Sequence, residues 1–205
     1  MNLLKNKLNL THIFYIEGNI GSGKTDFLKE RFASSQIEPL DLWNRLSTKE
    51  GSIFFLFYSN PSKYAGLFKI VSLLSLQSRL FNKTLKGAGV FERSIDSVKE
   101  IFEKQMFLSQ NISPFEHTIF LSFFFFLKKL VSSLVREEHL FVSQDLKLCL
   151  SRIKQRKRRE EAGITLSYLK ELEQRKIEWA ITIKNKKEFN SFLEARTYLT
   201  KWFLY

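Results

Sequence analysis

The sequence predicts an α/β fold in which a parallel sheet of about five strands is flanked by helices. Short apolar segments alternate along the chain with longer segments of helical periodicity, which is typical of a parallel sheet covered on both faces. A glycine-rich loop joins the first of these strands to the first helix. The chain has 205 residues, 44% apolar and 26% charged, and is long enough to bury a substantial core. We therefore expect one domain that spans residues 1–205.

The predicted strands are short apolar segments bounded by glycine, proline or polar residues. His12–Glu17 (HIFYIE) is the clearest of them, because it is apolar along its length and leads directly into glycines. The further predicted strands are the extended piece Gln36–Pro39 and the segments Val90–Arg93, His139–Val142 and Ala180–Ile183.

The predicted helices carry apolar residues at helical spacing. Pro114 marks the start of the helix that contains the phenylalanine-rich segment, because proline is tolerated in the first turn. Ser59–Ser62 predicts a turn, and Lys86–Gly89 predicts a break between two elements. The other predicted helices are Thr25–Phe32, Ala65–Leu85, Ile95–Gln110, Leu146–Gln155, Ile164–Trp179 and Glu188–Trp202.

Charge is an unusual feature of the composition: 33 basic residues against 21 acidic ones give a net charge of +12. Such a surplus indicates an anionic partner, and by itself it leaves nucleotide phosphate, nucleic acid and an acidic membrane surface open. A single cysteine excludes a disulfide framework and a cysteine-rich zinc site. The three histidines lie far apart in sequence, which argues against a zinc hydrolase.

No targeting or membrane-spanning segment is expected. Met1–Leu10 lacks the long apolar core and the small-residue cleavage site of a secretory signal. The most apolar stretch, Ile119–Leu127, ends at Lys128 after nine residues, whereas a bilayer span needs about 20. We therefore expect a buried or partner-facing helix there, no membrane partner, and a cytoplasmic location, which suits a single free Cys149.

The strongest motif is a complete phosphate-binding loop, G-x-x-x-x-G-K-[ST], between the first predicted strand and the first predicted helix. Its glycines allow backbone N–H groups to point inward around a phosphate, and the helix N-terminus adds positive potential. Lys24 is expected to reach the β- and γ-phosphates of a nucleotide, and Thr25 to hold Mg²⁺. By itself the motif leaves GTPases, motor-type ATPases and small-molecule kinases open. The loop consists of Gly18, Asn19, Ile20, Gly21, Ser22, Gly23, Lys24 and Thr25.

Four blocks narrow this choice, because in this order they resemble the deoxyribonucleoside kinase family, which includes deoxycytidine, deoxyguanosine and mitochondrial thymidine kinases. The blocks are Ile16–Lys24, the Glu-Pro-x-x-x-Trp segment Glu38–Trp43, the Glu-Arg-Ser motif within Phe91–Ile95, and the basic segment with its continuation, Cys149–Leu169. The resemblance extends from about residue 13 to residue 189. It implies a kinase fold built on the phosphate-binding loop, with an arginine-rich lid at about residues 154–163.

Phosphoryl transfer to a sugar hydroxyl requires a base near that hydroxyl. Glu38 follows a predicted strand end, where ligands gather in an open α/β sheet. The resemblance implies that Glu38 is the general base for a 5′-hydroxyl. It also implies that Glu92 helps to hold Mg²⁺ and that Arg93 orients the 5′-oxygen and Glu38.

The predicted lid is a charged segment, and arginines in such a segment can stabilise charge on a transferring phosphoryl group. The resemblance implies this role for Arg152, Arg156 and Arg158, and it implies that Glu161 and Tyr58 bind the sugar 3′-hydroxyl. Without the phosphate-binding loop, the same charge run would fit a solvated helix face or a nucleic-acid patch.

The sequence departs from the family pattern where the base would be read. Lys69 stands where the family has a glutamine, whose amide donates and accepts hydrogen bonds, whereas a lysine only donates. Lys69 would donate to a base acceptor, such as thymine O4 or guanine O6 and N7, or pair with an acidic side chain or phosphate. If the alignment slips by one turn, Lys69 would point to solvent. Val98 stands at the family's base-pocket Asp or Ala position, Phe123–Phe126 replaces a tryptophan-rich segment, and Leu146 replaces a proline.

The expected function is transfer of the ATP γ-phosphate to the 5′-hydroxyl of a deoxyribonucleoside, with Mg²⁺ as cofactor and a broad or unusual base preference. A homodimer is expected, with the apolar helix Phe120–Leu127 as its candidate interface, and a nucleic-acid partner is not. Two alternatives remain open. One is a non-catalytic nucleotide-binding homologue with a structural or regulatory role, supported by the changed base pocket. The other is a basic nucleic-acid-binding protein, supported by charge alone.

Overall fold

The computed structural model describes residues 11–82 and 88–203, and it confirms the predicted α/β fold. The strands, in chain order, are β1 (Thr11–Glu17), β2 (Ser47–Thr48), β3 (Gly51–Ser52), β4 (Ala88–Glu92), β5 (Val135–Val142) and β6 (Lys186–Phe189). Four of them form one parallel sheet in the order β4-β1-β5-β6, and β2 pairs with β3 in a short antiparallel ribbon.

Helices separate the strands of the sheet. They are α1 (Lys24–Arg31), α2 (Leu40–Arg45), α3 (Ile53–Ser59), α4 (Pro61–Asn82), α5 (Ile95–Ser97), α6 (Lys104–Leu108), α7 (Pro114–Val131), α8 (Leu146–Gln155), α9 (Leu166–Thr182) and α10 (Phe192–Phe203). A π-helical stretch, Val98–Glu103, joins α5 to α6, and a short 3-10 turn, Arg159–Glu161, lies between α8 and α9.

The central strand β1 is apolar because helices cover both faces of the sheet. Phe14 and Ile16 pack in one cluster with residues of α1 and α10. Ile13 and Tyr15 point to the opposite face and pack with residues of α4 and α7. Because β1 and β4 run in parallel, their carboxyl ends meet at one edge of the sheet, where open α/β folds bind ligands.

The predicted strand Gln36–Pro39 is reduced to a single parallel bridge between Gln36 and Phe91, at the β4 edge of the sheet. The Gln36 N–H donates to the carbonyl oxygen of Val90 at 2.9 Å, and the Glu92 N–H donates to the carbonyl oxygen of Gln36 at 2.8 Å. The chain leaves the sheet within three residues, at Pro39, which has no N–H to continue a ladder. Beyond β4, the edge of the sheet is therefore a loop and not a full strand.

Helix α7 begins at Pro114, as the sequence predicted. Ser113 caps it, and the side chains of Ser113 and Glu116 each accept a hydrogen bond from the other residue's backbone N–H. Its phenylalanine-rich segment is divided between two environments. Phe120 and Phe124 are buried against α4 and α5, whereas Phe125 remains 60% exposed.

The predicted strand Ala180–Ile183 is wrong. Helix α9 continues through Thr182, because Trp179 and Ala180 lie on its buried face. The first apolar residues of the predicted strand therefore belong to the last turn of this helix. The strand is β6, which includes Glu188, so the last helix begins at Phe192 and not at residue 188.

Other element boundaries also differ from the prediction. The predicted turn Ser59–Ser62 is a junction between α3 and α4, and neither α2 nor α3 was predicted. Ala88 and Gly89, predicted as part of a break, begin β4. The predicted helix end at Leu85, the break residues Lys86 and Gly87, and the segment Met1–Leu10 lie outside the described residues. Within the described ranges, none of the helices is long and apolar enough to cross a bilayer.

Candidate active site

A cavity of about 520 Å³ opens at the carboxyl ends of β1 and β4, beside α3, α4 and the turn that follows α8. Three residues of the phosphate-binding loop, Gly18, Asn19 and Ser22, do not line it. The sequence-predicted site residues that line the cavity are Ile20, Gly21, Gly23, Lys24, Thr25, Glu38, Tyr58, Lys69, Glu92, Arg93, Val98, Arg152, Arg156, Arg158 and Glu161.

The phosphate-binding loop has a backbone that requires its glycines. Gly21 and Gly23 have φ angles of 74° and 99°, in the left-handed region that strains other residues. A Cβ at Gly21 would also lie 2.4 Å from the carbonyl oxygen of Cys149. Asn19 Nδ2 donates to the carbonyl oxygen of Leu169 at 2.8 Å, which fastens the loop to α9. The loop therefore leads in a fixed conformation into the N-terminus of α1, where free N–H groups favour an anion.

Lys24 is buried within this loop and already has hydrogen-bond partners. Its Nζ donates to the carbonyl oxygen of Asn19 at 2.9 Å and to Ser22 Oγ at 3.5 Å. Glu92 Oε1 lies 3.9 Å from the same nitrogen. Burial, together with the nearby charge of Arg93, lowers the pKa of Lys24 to about 8. A phosphate in the loop would favour the protonated form, because an opposite charge stabilises the ammonium.

Thr25 and Glu92 form a pair of oxygen donors next to the loop. The Thr25 hydroxyl donates to the Glu92 carboxylate, with its Oγ1 at 3.0 Å and 2.9 Å from the two carboxylate oxygens. Hydroxyl and carboxylate oxygens are the ligands that Mg²⁺ prefers. The two side chains therefore fit a magnesium site beside the phosphates.

Glu38 and Arg93 form an ion pair that connects the two ends of the cavity. Arg93 Nε lies 3.1 Å from Glu38 Oε1, and Arg93 Nη1 donates to the carbonyl oxygen of Gly18 at 3.0 Å. The guanidinium carbon is 4.6 Å from the centroid of the Phe102 ring. Burial raises the pKa of the Glu38 carboxyl, and the charge of Arg93 opposes that shift. The φ angle of Arg93 is 59°, a strained value that is typical of functional positions.

Arg79 was not singled out from the sequence, yet it holds both segments that carry this ion pair. It is buried in α4, and all its described hydrogen bonds go to backbone carbonyl oxygens. Burial lowers the pKa of Arg79 to about 10. An arginine between the apolar residues Leu76 and Leu80 was the signal available in the sequence. Its acceptors are Leu76 at 3.1 Å, Gln36 at 3.0 Å, Ile37 at 3.1 Å, Glu92 at 2.7 Å and Arg93 at 2.7 Å.

Glu17 is a second positioning residue for which sequence reasoning assigned no role. It is fully buried at the end of β1, and its Oε1 accepts hydrogen bonds from the N–H of Ser94 at 2.9 Å and from Ser94 Oγ at 2.7 Å. Both bonds fix the residue that follows Arg93. An acidic residue that ends an otherwise apolar strand was the signal in the sequence.

The arginines of the predicted lid are held in two ways. Arg152 Nη1 donates to the carbonyl oxygen of Ser22 at 2.9 Å, which places it on the phosphate-binding loop. Arg156 forms a bidentate pair with the buried Glu161, with distances of 2.7 Å and 2.8 Å, and Arg158 reaches the same carboxylate at 3.4 Å.

Tyr58 lines the same cavity. Burial, with Tyr168 and Glu161 nearby, raises the pKa of the Tyr58 hydroxyl well above its usual range.

The far end of the cavity is aromatic. Trp43 Nε1 donates to Ser75 Oγ at 2.8 Å, so its polar edge already has a partner. Lys69 lies in this end and is 3% exposed, so it does not point to solvent. The apolar side chains that line this end are Trp43, Phe54, Phe57, Phe68, Leu76, Val98 and Phe102.

A second polar cluster lies outside the cavity. Ligand atoms of Asp96, Glu137 and His139 lie within 4.8 Å of one another. Lys128 Nζ donates to Asp96 at 2.9 Å and also to Glu137, so a lysine already supplies the positive charge between the two carboxylates. We therefore assign no metal to this cluster.

Comparison with known proteins gives related matches over most of the chain. Deoxycytidine kinase of Mus musculus is 29% identical over 206 residues, with 88% of this chain and 79% of that protein covered. The mitochondrial deoxyguanosine kinase of Xenopus laevis is 25% identical over 202 residues, covering 87% and 76%. Human mitochondrial thymidine kinase 2 is 24% identical over 173 residues, covering 82% and 64%.

These relatives differ in the base that their names specify, so their similarity does not choose a base for this chain. The Deoxynucleoside kinase family model, by contrast, matches one continuous segment, residues 14–197. That segment contains the phosphate-binding loop, the Glu38–Arg93 pair and the arginine-rich turn. Since the match extends over most of the chain, the protein belongs to the deoxynucleoside kinase family.

Proposed function

We propose that the protein transfers the γ-phosphate of ATP to the 5′-hydroxyl of a deoxyribonucleoside. The observation that carries this proposal is the Glu38–Arg93 ion pair, 3.1 Å apart, between a phosphate-binding loop and an aromatic pocket. A hydroxyl bound between these two ends would face a carboxylate that can take its proton.

On the acceptor side, Glu38 accepts the proton of the 5′-hydroxyl as the oxygen attacks the γ-phosphorus, while the bond from that phosphorus to the β–γ bridging oxygen breaks and ADP leaves. Its buried position, which raises the pKa of the carboxyl, makes it a stronger base than an exposed glutamate. Arg93 holds Glu38 in place and lies close enough to orient the attacking oxygen. Tyr58 and Glu161 are proposed to hold the 3′-hydroxyl, which fixes the direction in which the sugar enters.

On the donor side, Lys24 and the loop N–H groups hold the phosphates of ATP. Thr25 and Glu92 would hold Mg²⁺, which neutralises phosphate charge when it is bound. Arg152 already lies on the loop, and Arg156 and Arg158 are proposed to stabilise charge on the transferring group. In this proposal, residues 154–163 act as a lid on a single domain that spans residues 1–205.

The cytoplasmic location expected from the sequence stays a prediction; in its support, Cys149 is free and buried, which suits a reducing compartment.

A homodimer is proposed on the exposed side of α7 and α4. The segment Phe120–Leu127 does not serve as a whole, since Phe120, Phe124 and Leu127 are buried in their own chain. Phe125 and Phe126 on α7 and Leu67 on α4 are 60%, 59% and 57% exposed, and large exposed apolar side chains favour association. Light scattering should give twice the chain mass of 24.3 kDa at micromolar concentration; a mass of 24.3 kDa would contradict the dimer.

The test of the reaction is a coupled assay of ATP turnover with a panel of deoxyribonucleosides, in which mass spectrometry identifies the 5′-monophosphate product. Lys24→Ala is the matched inactive control. Nucleoside-dependent turnover with a monophosphate product supports the proposal. Nucleotide binding without turnover would favour the non-catalytic homologue, and salt-sensitive binding to nucleic acid, unaffected by nucleotide, would favour the nucleic-acid-binding alternative.

A further inference from the structure

Lys69 lies on α4 at the aromatic end of the cavity, and it is 3% exposed. Its Nζ is 4.4 Å from the ring centroid of Phe57, 5.1 Å from that of Phe68 and 5.3 Å from that of Phe102. The ammonium group is therefore surrounded by ring faces and lines the space that a bound base would enter. Cation–π contacts of this kind recover only part of the free energy of desolvation.

No described residue forms a hydrogen bond or an ion pair with Lys69 Nζ. The charged groups that face it are Glu103 on the π-helical stretch, Glu38 and Arg93. Glu103 is engaged with His117, whose Nδ1 lies 2.6 Å from its Oε1, and Glu38 is engaged with Arg93. Because burial is not offset by a partner, the pKa of Lys69 falls to about 7. Among the described residues, no acidic side chain pairs with Lys69, so the structure does not support that alternative.

Two other polar groups at this end, on Ser72 and Trp43, have already used their donors. The Ser72 hydroxyl donates to the carbonyl oxygen of Phe68 at 2.8 Å, and Trp43 Nε1 donates to Ser75 Oγ at 2.8 Å. Val98 has no polar side-chain atom. Among the described lining residues that contact these rings, Lys69 and Tyr58 therefore keep side-chain donors without an acceptor, and Tyr58 is assigned to the sugar in the proposed function. An ammonium offers three donors and no acceptor.

We propose that Lys69 determines base specificity by donating a hydrogen bond to an exocyclic oxygen, so the preferred substrates are deoxyribonucleosides of oxo bases. These are bases that carry oxygen at position 4 of a pyrimidine or position 6 of a purine, such as uracil, thymine, hypoxanthine and guanine. This inference rests on the proposed kinase function, since it names the substrate class of the same site.

The preference follows from what an amino base would present at the same edge. Cytosine and adenine carry an amino group where the oxo bases carry oxygen, so an N–H donor would face the Lys69 ammonium. Two donors in contact deprive the buried ammonium of the acceptor at this exocyclic position, and a buried donor that loses its acceptor is costly. A site that hydrogen-bonds one substrate group can reject the analogue without it by tenfold or much more.

The test uses two pairs of substrates that differ at this exocyclic group: deoxyuridine against deoxycytidine, and deoxyinosine against deoxyadenosine. The wild type should have a kcat/KM that favours the oxo member of each pair by at least roughly tenfold. Lys69→Met should bring both ratios close to one, because the thioether has no donor. Lys69→Gln should shift both ratios toward the amino member, because an amide can also accept. Lys63→Met, an exposed lysine on the same helix, is the matched control and should keep the wild-type ratios.

Several results would overturn the inference. A wild-type ratio near or below one overturns it, as does a Lys69→Met ratio equal to that of the wild type. Lys69→Met should fold with a thermal midpoint no lower than that of the wild type, because it removes a buried ammonium without removing volume. If it does not fold, Lys69→Gln and the wild type still supply the ratios.

Failure of the proposed reaction is distinguishable from failure of the inference. If no nucleoside is turned over, calorimetry of deoxyuridine and deoxycytidine binding to the wild type replaces the kinetic ratio. Tighter binding of deoxyuridine, lost in Lys69→Met, supports the base assignment while the reaction itself is rejected. Binding of neither nucleoside overturns both, and turnover without discrimination overturns the base assignment alone.

Discussion

The two ends of the cavity satisfy their charges differently. At the phosphate end, Lys24 and Arg152 both have partners in the protein: Lys24 has Asn19 and Ser22, and Arg152 has the carbonyl oxygen of Ser22. At the base end, Lys69 is buried among aromatic rings and has no such partner among the described residues. The phosphate end is thus organised by contacts within the protein, whereas in the proposed function the base end is completed by the ligand.

The difference between Lys24 and Lys69 shows that burial alone does not define the role of a lysine. Their side chains are similarly buried, at 4% and 3% exposure, and burial lowers the pKa of both. Lys24 keeps the higher pKa, about 8 against about 7, with Glu92 3.9 Å from its Nζ. In the proposed function, Lys24, which already has hydrogen-bond partners in the protein, binds the phosphates of a nucleotide. Lys69, which has no such partner among the described residues, favours a ligand that supplies the acceptor.

The largest expected effect is at the partnered lysine. Lys24→Ala removes the side chain that is proposed to hold the β- and γ-phosphates, so phosphoryl transfer should fall below detection and ATP binding should weaken. The measurements are the coupled assay and calorimetric ATP binding. Near-normal turnover by a folded Lys24→Ala protein would contradict the assignment of the phosphate end.

Glu38→Gln removes the proposed base between the two ends while it preserves the side chain's shape. The kcat should fall by about 10²–10⁴ while ATP still binds, because a neutral amide cannot take the hydroxyl proton. Rapid-quench kinetics measure the chemical step directly, so that slow product release does not hide the defect. An unchanged chemical rate would show that Glu38 is not the base.

Arg79→Met should lower activity less than Lys24→Ala or Glu38→Gln, because Arg79 acts through the loops that carry Glu38 and Arg93. It removes the hydrogen bonds that the guanidinium donates to the carbonyl oxygens of Ile37, Glu92 and Arg93, so the free energy of unfolding should fall by at least about 2 kcal/mol. A positioning role also predicts that kcat falls more than KM rises. Arg79→Lys should restore only part of either property, since one ammonium cannot reach all of these carbonyl oxygens. Equal stability of Arg79→Met and the wild type in urea titrations would contradict this role.

The smallest expected effect is a pH dependence confined to the base end. Above about pH 7 the empty site loses the Lys69 proton, and an oxo base must bind together with a proton. The deoxyuridine-to-deoxycytidine ratio of kcat/KM should therefore fall as pH rises through 7, by up to about tenfold for each pH unit. The ratio cancels the titration of Lys24 and Glu38, which both substrates share. A ratio that stays constant from about pH 6 to about pH 8 would contradict it, and Lys69→Met should show that constancy.

The phosphate end could be predicted from the sequence because its information is local. Residues 18–25 follow one another in the chain, between a clear strand and a helix, and the motif fixes both residue types and backbone. The bounds of α8, Leu146–Gln155, also agree with the prediction, because its apolar face repeats regularly between polar residues.

The base end could not be predicted in the same way, because its side chains come from four separate elements. Trp43 lies on α2, Phe54 on α3, Phe68 on α4 and Phe102 on the π-helical stretch, and α2 and α3 are too short to show a clear period. Arg79 illustrates the same limit. Its contact with the carbonyl oxygen of Gln36 joins residues 43 positions apart, and no local pattern reports such a contact.

The Glu161 carboxylate is shared by Arg156, Arg158 and, in the proposed function, the sugar 3′-hydroxyl. A hydroxyl that donates to one of its oxygens competes with an arginine for the same lone pairs. Nucleoside binding would then weaken the hold on two guanidinium groups that the phosphates of ATP can use. By thermodynamic linkage, the factor by which bound nucleoside changes the affinity for ATP equals the factor by which bound ATP changes the affinity for the nucleoside. In the proposed function, one buried carboxylate would thus couple the binding of the two substrates within a single chain.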